Sequence, residues 1–93
     1  MINLYQKTWK EIDTGIADRL VRLRKRRKIS QQELAVRSGV SLGSVKRFEQ
    51  SGEISLKSLT KIVIALGVEG ELDALFDEVP FESIDEVIYG QNK

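Results

Sequence analysis

The run Arg22-Leu23-Arg24-Lys25-Arg26-Arg27-Lys28 sets six cations within seven residues, a density suited to neutralising phosphate. Further along, Ser41-Leu42-Gly43-Ser44 places small and hydroxyl-bearing residues just ahead of Lys46 and Arg47. A guanidinium there can pair in planar, bidentate fashion with a suitable acceptor. Serines and carboxylates are present, but the chain contains no histidine and no cysteine. A His-based triad, a thiolate metal site and the usual zinc sites are therefore excluded. No base and nucleophile constellation accompanies the serines, so neither an enzyme nor a cofactor is implied.

The net charge of +1 conceals a division. Residues 1–61 hold 14 of the 15 Lys and Arg but only 6 of the 14 Asp and Glu, whereas residues 62–93 hold 1 and 8. One part can face a polyanion that the other would repel, as in a nucleic-acid module carrying a separate acidic region. The alternative is that both are ordinary solvated faces. Ninety-three residues suit one small domain, and aliphatic residues with one proline and few aromatics favour an all-α domain. The longest apolar run, Ile62 to Leu66, is far shorter than a membrane span, and the N-terminus lacks the apolar stretch of a signal peptide. A soluble, cytoplasmic protein is expected.

The elements that must position these groups announce their own starts. Ile29-Ser30 with Leu34, Val40-Ser41 with Val45 and Ile54-Ser55 with Leu59 each read as an N-cap serine inside a hydrophobic staple. Glu33 would complete a capping box with Ser30. Gly39 and Gly67 mark helix ends, and Gly52 lies in a loop. Helices are expected over 15–28, 31–38, 42–50, 56–66 and 71–77, the first beginning earlier if Thr8-Trp9-Lys10-Glu11 acts as a capping box. Ile16, Leu20 and Leu23, beside Ala17 and Val21, form the apolar face of the first. After Pro80, Phe81 to Tyr89 reads as a short sixth helix or an arm that orders on a partner. Residues 1–14 form an N-terminal extension or the start of the first helix, 15–77 the domain, and 78–93 an acidic tail. Trp9 and Tyr5 read as either core or partner contacts, and Trp9 more as a packing anchor than as a ligand platform.

Two short helices joined by a glycine turn, with the small Ala35 at their contact, make a helix-turn-helix. Ser30-Gln31-Gln32-Glu33-Leu34-Ala35, Gly39-Val40-Ser41, Val45, Phe48-Glu49, Leu59 and Ala65-Leu66-Gly67 together resemble the Xre/Cro-type family of bacterial and phage repressors. The resemblance implies a five-helix, lambda-repressor-like all-α domain whose third helix enters the DNA major groove. Gly43 then lets the backbone approach base edges, and Ser44 donates or accepts there. Leu42 either touches a thymine methyl or packs against a neighbour. Arg47 pairs with guanine or binds phosphate. Gln31 matches the family's phosphate-binding glutamine at the start of helix two. Ser30, Ser41, Lys46, Gln50 and Lys57 are further candidates for the DNA backbone. Arg24 matches an arginine that pairs with the glutamate corresponding to Glu49, still able to reach a phosphate. The remaining cations of the run, spread around the helix, are expected to form a solvated collar.

The arrangement of "SGEISLKSLTKIVIALG" followed by "LDALFDEVPFESIDEVI" resembles the HipB-like antitoxins. That implies a homodimer on a palindromic operator that also neutralises a HipA-type toxin kinase; an ordinary autoregulatory repressor is the other reading within the family. Leu72, Leu75 and Phe76 are read as core or dimer seam, and Phe81, Ile84 and Ile88 as a partner contact. A different class also fits: an adaptor with this fold that sequesters a toxin or transcription component without reading DNA. The small set Leu42, Gly43 and Ser44 sustains that alternative.

Overall fold

The computed structural model describes residues 6–78. Within them the chain is all-α, with α1 (Trp9–Arg26), α2 (Gln31–Ser38), α3 (Leu42–Ser51), α4 (Leu56–Ala65) and α5 (Glu69–Asp73). This is the expected five-helix, lambda-repressor-like architecture. The sixth helix or arm expected over Phe81 to Tyr89 lies outside the described residues, as does Tyr5.

One chemical device opens the four longer helices. The side-chain oxygens of Thr8, Ser30, Ser41 and Ser55 accept the backbone N–H of Glu11, Glu33, Ser44 and Ser58 at 3.0–3.1 Å, satisfying donors that have no partner within the helix. At Thr8 the box is complete, because the Glu11 carboxylate accepts from the Thr8 backbone in return. Helix one therefore starts at Trp9. The box expected at Ser30 is only half made: Glu33 is drawn to Arg37 one turn ahead on the same helix.

The exits depart from expectation by small amounts with clear causes. α1 ends at Arg26 because Lys28 turns to φ 58°. The N–H of Ile29 then reaches back to the carbonyl of Arg24 at 3.2 Å, closing a Schellman motif. α5 begins two residues early, at Glu69, and has only five residues. Short backbone bonds from Leu75 to Leu72 and from Asp77 to Ala74 follow it, and Phe76 stands at φ 63° between them. A longer helix is thereby cut off.

The core lies where α1, α2, α3 and α4 converge. Leu34, Val45, Ile62 and Leu66 are fully buried, with Ala17, Ile29, Ala35, Val40 and Phe48 around them. Both members of the first two staples, Ile29 with Leu34 and Val40 with Val45, are core residues, while Ile54 and Leu59 pack at its edge with Ile16, Leu20 and Leu23. Each buried aliphatic side chain contributes about 1.5–3 kcal/mol. α1 packs on α3, α2 on both α3 and α4, and α5 on α4. Here the anchor expected at Trp9 fails, and of the two readings of Leu75 and Phe76, core or dimer seam, the core one does. Trp9 is 70% exposed, since the first turn of α1 lies beyond the converging helices, so it anchors nothing within the described residues. Leu75 and Phe76 are exposed too, because α5 has already ended before them and neither joins the core.

Gly52 is the most constrained backbone position. It takes φ +78° to close α3, and a Cβ there would sit 2.7 Å from the carbonyl carbon of Asp13. It is therefore both the αL cap of α3 and the point where α1 lies directly against the chain. The loop position read from the sequence understates this double role.

Candidate nucleic-acid interface

The interface is built on α3, whose two faces differ in kind. Val45 and Phe48 point into the core, at 0% and 2% exposure. Gly43, Ser44, Lys46, Arg47 and Gln50 are exposed. The α2–α3 turn, closed by Gly39 at φ 74°, brings the two helices together through Leu34, Ala35, Val40 and Val45, and so aims the outer face of α3 away from the domain.

Leu42 is half-buried and packs against the core, which gives it a structural partner in the free protein. Gly43 has helical φ, and no described residue comes within 4 Å of a Cβ built on it. Neither backbone conformation nor packing requires glycine there, although glycine weakens a helix by up to about 1 kcal/mol relative to alanine. Ser41 donates from Oγ to the Ser44 Oγ at 2.9 Å and accepts the Ser44 N–H. The hydroxyl of Ser44 is thus held at the rim of the helix start.

Arg47 does not hang free. Its Nε donates to Oε2 of Glu53 at 3.1 Å, and both side chains remain open to solvent. Ser51 ties this loop down: its Oγ donates to the Arg47 carbonyl at 2.7 Å and accepts the Glu53 N–H at 3.3 Å. Ser44, Arg47 and Glu53 share a depression with Ile54, Ser55 and Ser58, at the junction of α3 and the start of α4. Glu53 was missed from the sequence. It lies six residues from Arg47, outside helical i,i+4 spacing, and only the turn at Gly52 brings them together.

On the other side of α3, Arg24 of α1 is buried and makes a bidentate pair with Glu49: Nε to Oε2 at 2.7 Å and Nη2 to Oε1 at 2.9 Å. Its Nη1 donates to the Ile29 carbonyl at 2.8 Å. Gln31, at the first position of α2, donates from Nε2 to Glu49 Oε1 at 2.8 Å. One carboxylate near the end of α3 therefore ties together the end of α1 and the start of α2. Gln31 keeps a second amide hydrogen, beside the exposed N-cap Ser30. Lys46, Gln50 and Lys57 are exposed, as are Arg22, Lys25, Arg26, Arg27 and Lys28 around the end of α1. Leu72, Leu75 and Phe76 belong to a different region, on or after α5, while Phe81, Ile84 and Ile88 lie outside the described residues.

No helix among the described residues is long and apolar enough to cross a membrane. No curated protein and no solved structure matches the chain. The helix-turn-helix family model matches residues 20–72, more than half of the chain and all of α2, α3 and α4. With a helix-turn-helix built from α2 and α3 and an outer α3 face that the core does not use, the chain belongs to the Xre/Cro-type helix-turn-helix family of DNA-binding transcriptional regulators.

Proposed function

We propose that the protein is a sequence-specific repressor that binds a palindromic operator as a homodimer, with α3 in the major groove. The observation that carries this reading is Gly43, a helical glycine with open space around it, beside the exposed Ser44 and Arg47. A residue that weakens the helix and serves no packing need has a use where a base edge must come close. In this reading Leu42, Gly43, Ser44 and Arg47 face bases. Ser30, Gln31, Ser41, Lys46, Gln50 and Lys57 face phosphates, supplying most of the affinity. Arg24 contributes by holding Glu49 and Gln31 in place and through its charge.

The exposed Leu75 and Phe76, with the half-buried Leu72, favour a seam between two copies. Two half-sites would then lie about one DNA turn, roughly 34 Å, apart. We assign the acidic C-terminal region, with Phe81, Ile84 and Ile88, to a protein partner, a HipA-type toxin kinase if the chain is an antitoxin. The test is fluorescence anisotropy with duplex DNA from upstream of the protein's own gene, a scrambled duplex as control, and a salt titration. The expected result is a preference on the order of a thousandfold with a steep fall of log affinity against log salt. Equal, weak binding to these duplexes and to a random-sequence pool overturns the reading in favour of a protein-binding adaptor.

A further inference from the structure

We propose that Glu53 is a specificity-determining positioning residue, which orients Arg47 so that the terminal fork of its guanidinium, and not its Nε edge, meets a guanine. This rests on the DNA-reading role of α3 proposed above.

An arginine can satisfy the O6 and N7 of guanine through either of two edges, Nε with one Nη, or the two Nη groups. Glu53 occupies the first edge by accepting from Nε at 3.1 Å. Among the described residues, nothing takes the end-on edge. Glu53 is well rooted for this task although its carboxylate is at the surface: Ser51 bridges its N–H to the Arg47 carbonyl, and Gly52, pressed on the backbone of Asp13, fixes the turn before it. The loop is thus anchored to α3 and to α1 at once.

The chemistry of the pair explains why a carboxylate belongs beside a DNA-facing surface. The two side chains are 73% and 57% exposed, and pairs this open add little to stability. A carboxylate near phosphates also opposes non-specific binding. Both properties serve selectivity. A free Arg47 would be one more sequence-independent phosphate ligand, and Glu53 restrains it from that use while leaving its fork available. Ser44 lines the same depression as Arg47 and Glu53.

The test uses the full chain in four forms: wild type, E53Q, R47A and the double variant. Each is offered a pool of random 20-base-pair duplexes, and anisotropy then measures single-position variants of the enriched sequence. E53Q is expected to fold with a Tm within a few degrees of wild type and to lose about tenfold of the preference at one base pair. Its affinity for scrambled duplex should rise, with a salt slope steeper by about one. In the R47A background the same change should leave every base preference where it was. E53Q retaining the full preference overturns the assignment, and so does an equal loss with and without Arg47, since Glu53 would then act through the loop and not through the guanidinium. A wild type that enriches no sequence fails earlier, overturning the DNA-reading role and this assignment with it.

Discussion

On one side of α3, Arg24 and Glu49 meet out of water, each side chain 9% exposed; on the other, Arg47 and Glu53 meet in it, at 73% and 57%. The ion types are the same and the distances similar, at 2.7 and 3.1 Å. Burial separates their roles. The buried carboxylate satisfies Arg24 twice and Gln31 once, so removing it would strand a desolvated charge, with a penalty of about 3–5 kcal/mol. The exposed pair competes with water, and its removal costs about 0.2–1 kcal/mol. A strong pair suits a fastener between helices. A weak one suits a side chain that is held by one edge while its other edge stays open to solvent.

The sharpest way to break this contrast is E49A. It should destabilise the domain by about 3–5 kcal/mol, lowering Tm on the order of 15 °C or more in thermal circular dichroism. An R24M/E49L double variant should be milder than E49A, because no buried charge is left alone; a worse double variant would mean that the pair contributes specific attraction well beyond mutual compensation. Next comes G52A, which combines a positive φ with a collision against Asp13. A loss of about 2–3 kcal/mol in urea unfolding is expected, and a neutral result would show that α1 can shift away from the turn.

On the exposed side the effect moves from stability to binding. R47A should lower Tm by no more than a few degrees while weakening binding to the selected duplex by about 1–3 kcal/mol, with relaxed preference at one position. A uniform loss across sequences would make Arg47 a phosphate ligand. The smallest effect is at Gly43: G43A should stabilise the fold by up to about 1 kcal/mol while reducing operator affinity. A stabilised variant with unchanged DNA binding would deny the glycine its proposed use.

Much of this organisation was legible because it is local. The caps at Ser30, Ser41 and Ser55, and the box at Thr8, depend on residues three apart, and all four hydroxyls accept the expected N–H. The range of α2 matches its reading residue for residue, and α3 and α4 differ by one residue each at their ends. The Arg24–Glu49 pair, implied by family resemblance, is present with bidentate geometry. Errors arose where a local signal had a competitor. Glu33 chose Arg37 over Ser30. Hydrophobic periodicity around Leu72, Leu75 and Phe76 pointed to a helix over 71–77, but the backbone turned at Phe76. The type of Trp9 suggests an anchor, while its exposure follows from how far α1 extends beyond its neighbours.

By itself, the order of residues determined where α2, α3 and α4 begin and end to within a residue, which residues are apolar enough to form their contacts, and the concentration of positive charge before residue 62. These follow from hydrogen bonds and side-chain periodicity within a few residues. Tertiary structure alone decided that Leu42 leans on the core, that one carboxylate at Glu49 serves both Arg24 and Gln31, and that Glu53 takes hold of Arg47. Those outcomes depend on the approach of separate elements and on how much water remains between the charges. Spacing along the chain encodes neither.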